Sequence, residues 1–174
     1  MDGSGPWMNE SSIRARIFDQ IARDPAGAFS LAKQNLEQHP ESVEALLILA
    51  DLKFMGVGDS RESARPLFEK VLRVDPDNVS ALTGMALMPG LAVEESIVLL
   101  KRVTTIRGNA LTYMNLGYKQ WESGRYSEAL GTFERVLDIA RGERNQELVS
   151  SVRSAIGRIR KRQTPINYSY AVPN

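Results

Sequence analysis

The sequence repeats itself with a period of about 34 residues, and this period constrains the fold more than any other feature of the chain. When three stretches are superposed on their turns, apolar or small residues recur at matching places in two successive helical segments. A period of this length indicates a stack of helix–turn–helix units, each burying its apolar face against its neighbours. A non-repeating helical bundle, the alternative, predicts no such period. The matching sets are Leu46, Leu82 and Tyr113; Leu49, Met85 and Leu116; Ala50, Ala86 and Gly117; Ala64, Ser96 and Ala129; Phe68, Leu100 and Phe133; and Val71, Val103 and Val136.

The segments between the turns have the spacing of amphipathic helices. In the clearest of them, from Tyr126 to Ala140, apolar residues fall three or four positions apart and charged residues take the other face. Breakers such as Asp24-Pro25, Pro89-Gly90 and Ser123-Gly124 separate these segments at regular intervals. The sequence therefore predicts an all-α fold.

The composition excludes several kinds of site. The 174 residues include no cysteine and one histidine, His39, so disulfides, thiolate catalysis and cysteine-ligated metals are excluded and little remains for an imidazole metal site. The net charge of +1, from 22 basic and 21 acidic residues, gives no general attraction to nucleic acid or to an anionic membrane. No run approaches the roughly 20 apolar residues of a membrane span. We therefore expect a cytoplasmic protein without a metal or a cofactor.

The residues that could carry catalysis have plainer explanations. Ser30 and Lys33 have the spacing of a serine–lysine motif, but no partner motif follows them. The stretch Gly56-Val57-Gly58 lacks the preceding strand and the following Gly-Lys-Ser/Thr of a phosphate loop. His39 precedes a proline at a helix end, where a cation suits the helix dipole. We therefore predict no catalytic residue and expect a protein that is not an enzyme.

The last repeat carries the fullest set of matching residues, namely Tyr113, Leu116, Gly117, Gly124, Tyr126, Ala129, Phe133 and Val136. This set resembles the tetratricopeptide repeat (TPR), a helix–turn–helix unit of about 34 residues. In this resemblance the small residues Gly117 and Ala129 meet, so that the two helices approach closely. The resemblance implies an all-α, right-handed superhelical stack of units at about 10–42, 43–78, 79–109 and 110–142, with a capping helix at 143–162 that covers the last apolar face.

The resemblance also implies a binding site, because the concave face of such a stack is lined mainly by the first helix of each unit. The implied lining residues are Leu47, Ile48, Asp51, Phe54, Thr83, Leu87, Leu111, Met114, Asn115, Tyr118 and Trp121. They include no cation, which disfavours an acidic tail as the ligand and favours a partner segment with apolar anchors. For Met114 and Trp121 the plainer alternative is that they fill the junction with a neighbouring helix.

The segment from residue 141 to residue 162 is basic. Its candidate patch consists of Arg153, Arg158, Arg160, Lys161 and Arg162. Basic residues also suit a helix C-terminus and keep a capping helix soluble, which is the plainer interpretation. An acidic protein partner is the second interpretation. Nucleic acid or a membrane surface is the third, and no interleaved aromatic residues accompany the patch to support nucleic-acid binding.

The two ends of the chain differ in character from the repeats. Residues 1–9 are rich in Gly, Ser and Pro, and we expect a flexible N-terminus or a cloning remnant. Residues 163–174 have no helical period and form either a frayed tail or a docking segment. In the second interpretation the side chains that dock on an apolar surface are Ile166, Tyr168 and Tyr170.

These observations predict a non-catalytic protein-interaction module, that is, an adaptor, chaperone or assembly factor whose groove holds a peptide segment of a partner protein. The alternative is a self-associating scaffold built through groove, cap or tail contacts, which makes a homo-oligomer the other expected partner. The sequence identifies neither the partner nor the pathway.

Overall fold

A computed structural model describes residues 10–162 of the chain. In this part of the chain the helices are α1 (Glu10–Ile21), α2 (Pro25–Gln38), α3 (Val43–Phe54), α4 (Arg65–Val74), α5 (Val79–Ala86), α6 (Val93–Ile106), α7 (Ala110–Glu122), α8 (Tyr126–Gly142) and α9 (Gln146–Arg160), with a short 3-10 helix, Arg61–Ala64, directly before α4. No strand occurs between residues 10 and 162, and the all-α prediction is confirmed. The first eight helices follow one another as helix–turn–helix pairs.

The chain divides into two compact units, with the boundary after Pro76. Of the described residues, unit 1 contains helices α1 to α4 and unit 2 contains helices α5 to α9. Each unit has a hydrophobic cluster of its own.

Five of the helices begin at a polar side chain that accepts a hydrogen bond from a backbone N–H of the first turn. Such caps satisfy donors that have no partner within the helix, which is why these helices begin where they do. The capping residues are Asp24, Ser42, Asn78, Asn109 and Asn145, with nitrogen–oxygen distances from 2.9 to 3.2 Å. The cap at Asn145 explains why α9 begins at Gln146, three residues after the predicted start of the capping helix.

In unit 1 the core lies where α1, α2 and α3 meet. Ile17, Ala28 and Ile48 are fully buried there. The turn after α3 packs against the same cluster through Gly58, which has a left-handed backbone with φ of +75°. A Cβ atom at Gly58 would collide with the ring of Phe29, so both the conformation and the space require glycine at this position.

In unit 2 the core lies where α7, α8 and α9 meet, around Phe133. The ring of Phe133 makes edge contacts with Tyr118, at 5.1 Å between centroids, and with Trp121, at 6.4 Å. A Cβ atom at Gly117 would lie 3.1 Å from this ring. The ring of Phe133 thus leaves room only for a small residue at Gly117, because a long helical side chain covers the turn that precedes it.

The equivalent positions in the second helix of successive helix–turn–helix pairs, counting the short 3-10 helix with α4, are all buried. The nine residues, each at most 1% exposed, are Ala64, Phe68, Val71, Ser96, Leu100, Val103, Ala129, Phe133 and Val136. The period in the sequence therefore marks buried positions that recur in successive helix–turn–helix pairs.

Candidate functional site

The last helix of unit 2 forms a cleft with α7. The cleft has a volume of about 210 Å³ and is lined by Tyr118 and Trp121 from α7 and by Ser151, Ser154, Ala155 and Arg158 from α9. Ser151 and Ser154 are exposed at its rim, whereas Tyr118 and Trp121 are buried in its wall. An apolar cleft with a few polar groups at its edge is the usual form of a ligand site.

The aromatic wall of this cleft is fixed by contacts on several sides. The rings of Tyr118 and Trp121 are stacked, with centroids 5.8 Å apart and an angle of 24° between their planes. Arg158 Cζ lies 6.0 Å from the centroid of the Trp121 ring, within range of a cation–π interaction. Burial raises the pKa of the Tyr118 hydroxyl, and the charge of Arg158 opposes this effect. The phenol therefore stays protonated at neutral pH.

The other groove residues predicted on α7 lie along the same helix. Met114 and Asn115 are buried, and Leu111 is half-buried. Met114 and Trp121 belong to the hydrophobic cluster of α7, α8 and α9, which is the junction that the plainer alternative describes. Trp121 therefore contributes both to that cluster and to the wall of the cleft. The predicted groove residues Thr83, on α5, and Leu87, directly after it, are also buried.

In unit 1 the predicted groove residues lie on α3, the helix most completely enclosed in this unit. Leu47, Ile48 and Phe54 are buried, and Phe54 makes an edge contact with Phe68 at 6.4 Å between centroids. Asp51 is only 2% exposed, although it is charged. A buried carboxylate of this kind needs a partner, because moving an isolated charge out of water is costly.

The partner of Asp51 is Arg14 on α1. Arg14 Nη2 donates a hydrogen bond of 2.7 Å to Asp51 Oδ2, and Arg14 Nη1 donates one of 3.3 Å to Glu44. Burial raises the pKa of Asp51 to about 6, although the charge and hydrogen bond of Arg14 lower it. Within residues 10–162, Oδ1 of Asp51 is buried and accepts no hydrogen bond. The result is an ion pair at the predicted groove position, in which burial outweighs the attraction of the partner.

The predicted basic patch is divided between two sides of α9. Arg158 lines the cleft with α7, whereas Arg153 and Arg160 line a second cavity, of about 590 Å³, between α8 and α9. The remaining lining residues of this second cavity are Glu134, Leu137, Asp138, Arg141, Ile156 and Gly157. Lys161 and Arg162 follow the helix and are exposed.

Sequence reasoning missed Arg14, Ser151, Ser154 and Ala155. Asp51 carried the signal for Arg14, because a single carboxylate inside the apolar run from Ala45 to Leu52 predicts a cation on a facing helix. The residues of α9 gave no such signal, since small and polar residues on a capping helix are typical of any solvated surface.

Two further observations concern only residues 10–162. No group of three or more His, Cys, Asp or Glu side chains is arranged to hold a metal ion. None of the helices combines the length and the apolar character needed to cross a bilayer. Two predictions fall outside the described residues, namely the docking residues Ile166, Tyr168 and Tyr170 and the flexible N-terminus at 1–9.

Comparison with known proteins gives a fold. No protein-family model matches the sequence, and no curated protein matches it in sequence. Among solved structures the chain is similar to TTC0263, a thermophilic TPR protein of Thermus thermophilus, with a TM-score of 0.71 and 16% identity over 86% of this chain and 82% of that chain. It is also similar to MamA, with a TM-score of 0.61 and 21% identity over 88% of this chain and 89% of that chain. The chain therefore has the TPR fold, as the resemblance in its sequence predicts.

Proposed function

We propose that this chain, which has the TPR fold, is a non-catalytic protein-interaction module of the adaptor, chaperone or assembly-factor kind, and that it binds a peptide segment of a partner protein. The observation that supports this proposal is the cleft between α7 and α9. It combines two stacked aromatic rings with a polar rim and one cation. Tyr118 and Trp121, both expected in the groove from the sequence, form its wall.

The lining of the cleft fits an extended segment with an apolar or aromatic anchor. An anchor that is fully buried against Tyr118 and Trp121 contributes roughly 1.5–3 kcal/mol, and an aromatic pair adds about 0.5–1.5 kcal/mol. The hydroxyls of Ser151 and Ser154 can donate or accept hydrogen bonds with the peptide backbone. One anchor of this size gives a weak contact by itself, so a stable complex needs additional contacts along the groove.

The experiment places one bulky substitution at the rim of the cleft. Twelve-residue peptides are selected from a random library on the wild-type chain, and their binding is measured by fluorescence anisotropy. Ser154→Arg obstructs the cleft from an exposed position, and we expect it to weaken binding at least tenfold, about 1.4 kcal/mol. The matched control is Ser150→Arg, an exposed position on the same helix that lines neither cavity.

Ser150→Arg should change the affinity less than twofold. If both variants bind the selected peptides as the wild type does, the cleft is not the binding site and the proposal fails. Circular dichroism of both variants verifies that α9 is intact.

The cavity between α8 and α9 supports the alternative, a self-associating scaffold. Its lining carries charges of both signs, with Arg153 and Arg160 facing the same cavity as Glu134. A surface with both signs can be complementary to itself in a symmetric dimer. Light scattering over a hundredfold range of concentration tests this alternative. A constant monomer mass would reject it, and a mass that rises with concentration and falls in Arg153→Glu would support it.

A further inference from the structure

The chain leaves α9 beside the cleft with α7. Ser154 and Arg158 line the cleft one helical turn apart, and the next position in this row is residue 162. The helix ends just before this residue, at Arg160, and the Arg162 N–H donates to the Ile159 carbonyl at 2.8 Å, with φ of +52° at Arg162. A left-handed residue just after a helix redirects the chain. The described part of the chain therefore ends, at Arg162, about one helical turn, roughly 5.4 Å, beyond Arg158 at the cleft rim.

The sequence of residues 163–174 matches the chemistry of the cleft. The segment has no Asp, Glu, Lys or Arg, so its side chains bring no charge that burial would have to desolvate. Its larger apolar and aromatic residues occupy alternate positions, which an extended chain places on one side. These positions are Ile166, Tyr168, Tyr170 and Val172. Pro165 and Pro173 flank them and favour an extended backbone.

Length does not limit this contact. Twelve extended residues span up to about 40 Å, several times the distance from the end of α9 to the cleft. Attachment also raises the local concentration of the segment, typically to about 1 mM for a short flexible connection. A contact with a dissociation constant of about 100 μM would then be roughly 90% formed within one molecule.

We propose that the segment 166–172 occupies the α7–α9 cleft of its own chain and that a partner peptide must displace it. This inference rests on the proposed function, since it takes the same cleft to be the binding site. At an effective concentration of about 1 mM and the dissociation constant above, the segment reduces the apparent affinity for a competing peptide about tenfold. A partner segment then displaces residues 166–172 only if it binds the cleft more tightly than they do.

The first test exploits the absence of cysteine from the chain. Ser169→Cys is combined with Ser154→Cys at the cleft rim, and a disulfide forms only where the two Cα atoms come within about 7 Å. The matched control combines Ser169→Cys with Arg153→Cys, the neighbouring exposed residue that lines the other cavity. A segment without a preferred site reaches both positions equally.

We expect the pair that includes Ser154→Cys to close within one molecule at least tenfold faster than the control pair at low micromolar protein, as measured by peptide mapping. Equal rates would overturn the proposal. Cross-links between two molecules would overturn it as well, because they would assign the segment to a neighbouring copy.

The second test adds a fluorescein-labelled peptide of residues 163–174 to the full chain. The variant Ile166→Ser/Tyr168→Ser/Tyr170→Ser removes the alternating side chains, and Asn167→Ala/Ser169→Ala changes the opposite side of the segment as its control. We expect the triple variant to bind the labelled peptide about tenfold more tightly than the wild type, and the control to resemble the wild type. Equal binding by all three, or binding by none, would contradict the proposal.

The two proposals fail separately. If the triple variant gains no affinity for the library-selected peptides but Ser154→Arg still abolishes their binding, the tail does not occupy the cleft and the proposed function stands. If Ser154→Arg has no effect on the selected peptides, the proposed function itself is wrong.

Discussion

Asp51→Asn should make the free energy of unfolding of this protein less dependent on pH. The sign of the pH dependence that is lost shows whether burial or ion pairing dominates at Asp51. Asp51 is 2% exposed and accepts a hydrogen bond of 2.7 Å from Arg14. An ion pair of this geometry suggests a carboxylate with a lowered pKa. Burial acts in the other direction and is the larger effect, so that the pKa rises from 3.8 to about 6.

The sign follows from the two pKa values. Between pH 3.8 and about pH 6 the folded chain retains a proton at Asp51 that the unfolded chain has released, so stability falls as the pH rises. The difference of about 2.2 pKa units corresponds to roughly 3 kcal/mol, at about 1.36 kcal/mol per unit. Asn cannot ionise, so the stability of Asp51→Asn does not fall in this way as the pH rises. Any other effect of the amide on stability is the same at every pH.

Urea denaturation of both proteins from pH 3.5 to pH 7.5 measures the effect as a difference curve. We expect the stability of the wild type relative to Asp51→Asn to fall by about 3 kcal/mol across this range. Asp59→Asn is the control of opposite sign, because hydrogen bonds from Lys53 and the Ser60 backbone lower the pKa of the exposed Asp59 to about 2. Its difference curve should rise with pH, and only at the acid end of this range. A difference curve for Asp51 that is flat, or that rises with pH, would refute the reasoning and show that Arg14 dominates.

Two further pairs of substitutions test the local structure by urea denaturation at neutral pH. Gly56 and Gly58 both have left-handed backbones, but only Gly58 faces the ring of Phe29. Gly56→Ala should therefore lower the free energy of unfolding by about 1–2 kcal/mol, and Gly58→Ala by roughly 1–3 kcal/mol more. Equal losses in the two variants would rule out the steric contact with Phe29. Asn109 caps α7 by accepting from the Thr112 N–H at 3.0 Å; Asn109→Ala should cost about 1 kcal/mol, and Asn109→Ser should restore most of it.

The repeat, and with it the fold, could be predicted because each matching position has the same role in every unit. Phe68, Leu100 and Phe133 recur in the sequence, and all three are fully buried in the second helix of their pairs. The contact of Gly117 could not be predicted in the same way. Spacing places Ala129 and Phe133 on one side of α8, but only side-chain direction determines that the ring of Phe133 covers Gly117.

The lining of the candidate site was only partly predictable. The resemblance to the TPR implies Tyr118 and Trp121 as lining residues, whereas the opposite wall comes from α9, which the sequence identifies only as a capping helix. Similarly, the resemblance implies Asp51 as a lining residue of the groove, and it does not indicate that Arg14 on α1 donates a hydrogen bond to this carboxylate. Periodicity assigns a residue to one side of its own helix, and it does not identify the residue that faces it.

The enclosure of α3 explains why spacing alone locates a binding surface poorly in this fold. Nine of its twelve residues are buried, so hydrophobicity does not separate a side that faces a ligand from one that faces another helix. In α9 the two sides differ in chemistry, since Ile156 and Ile159 are buried and Ser151 and Ser154 are exposed beside aromatic rings. A peptide can displace water from such a boundary without unpacking the core. A helix that is packed on one side and exposed on the other is therefore where a partner should be sought, and α9 meets that condition better than α3.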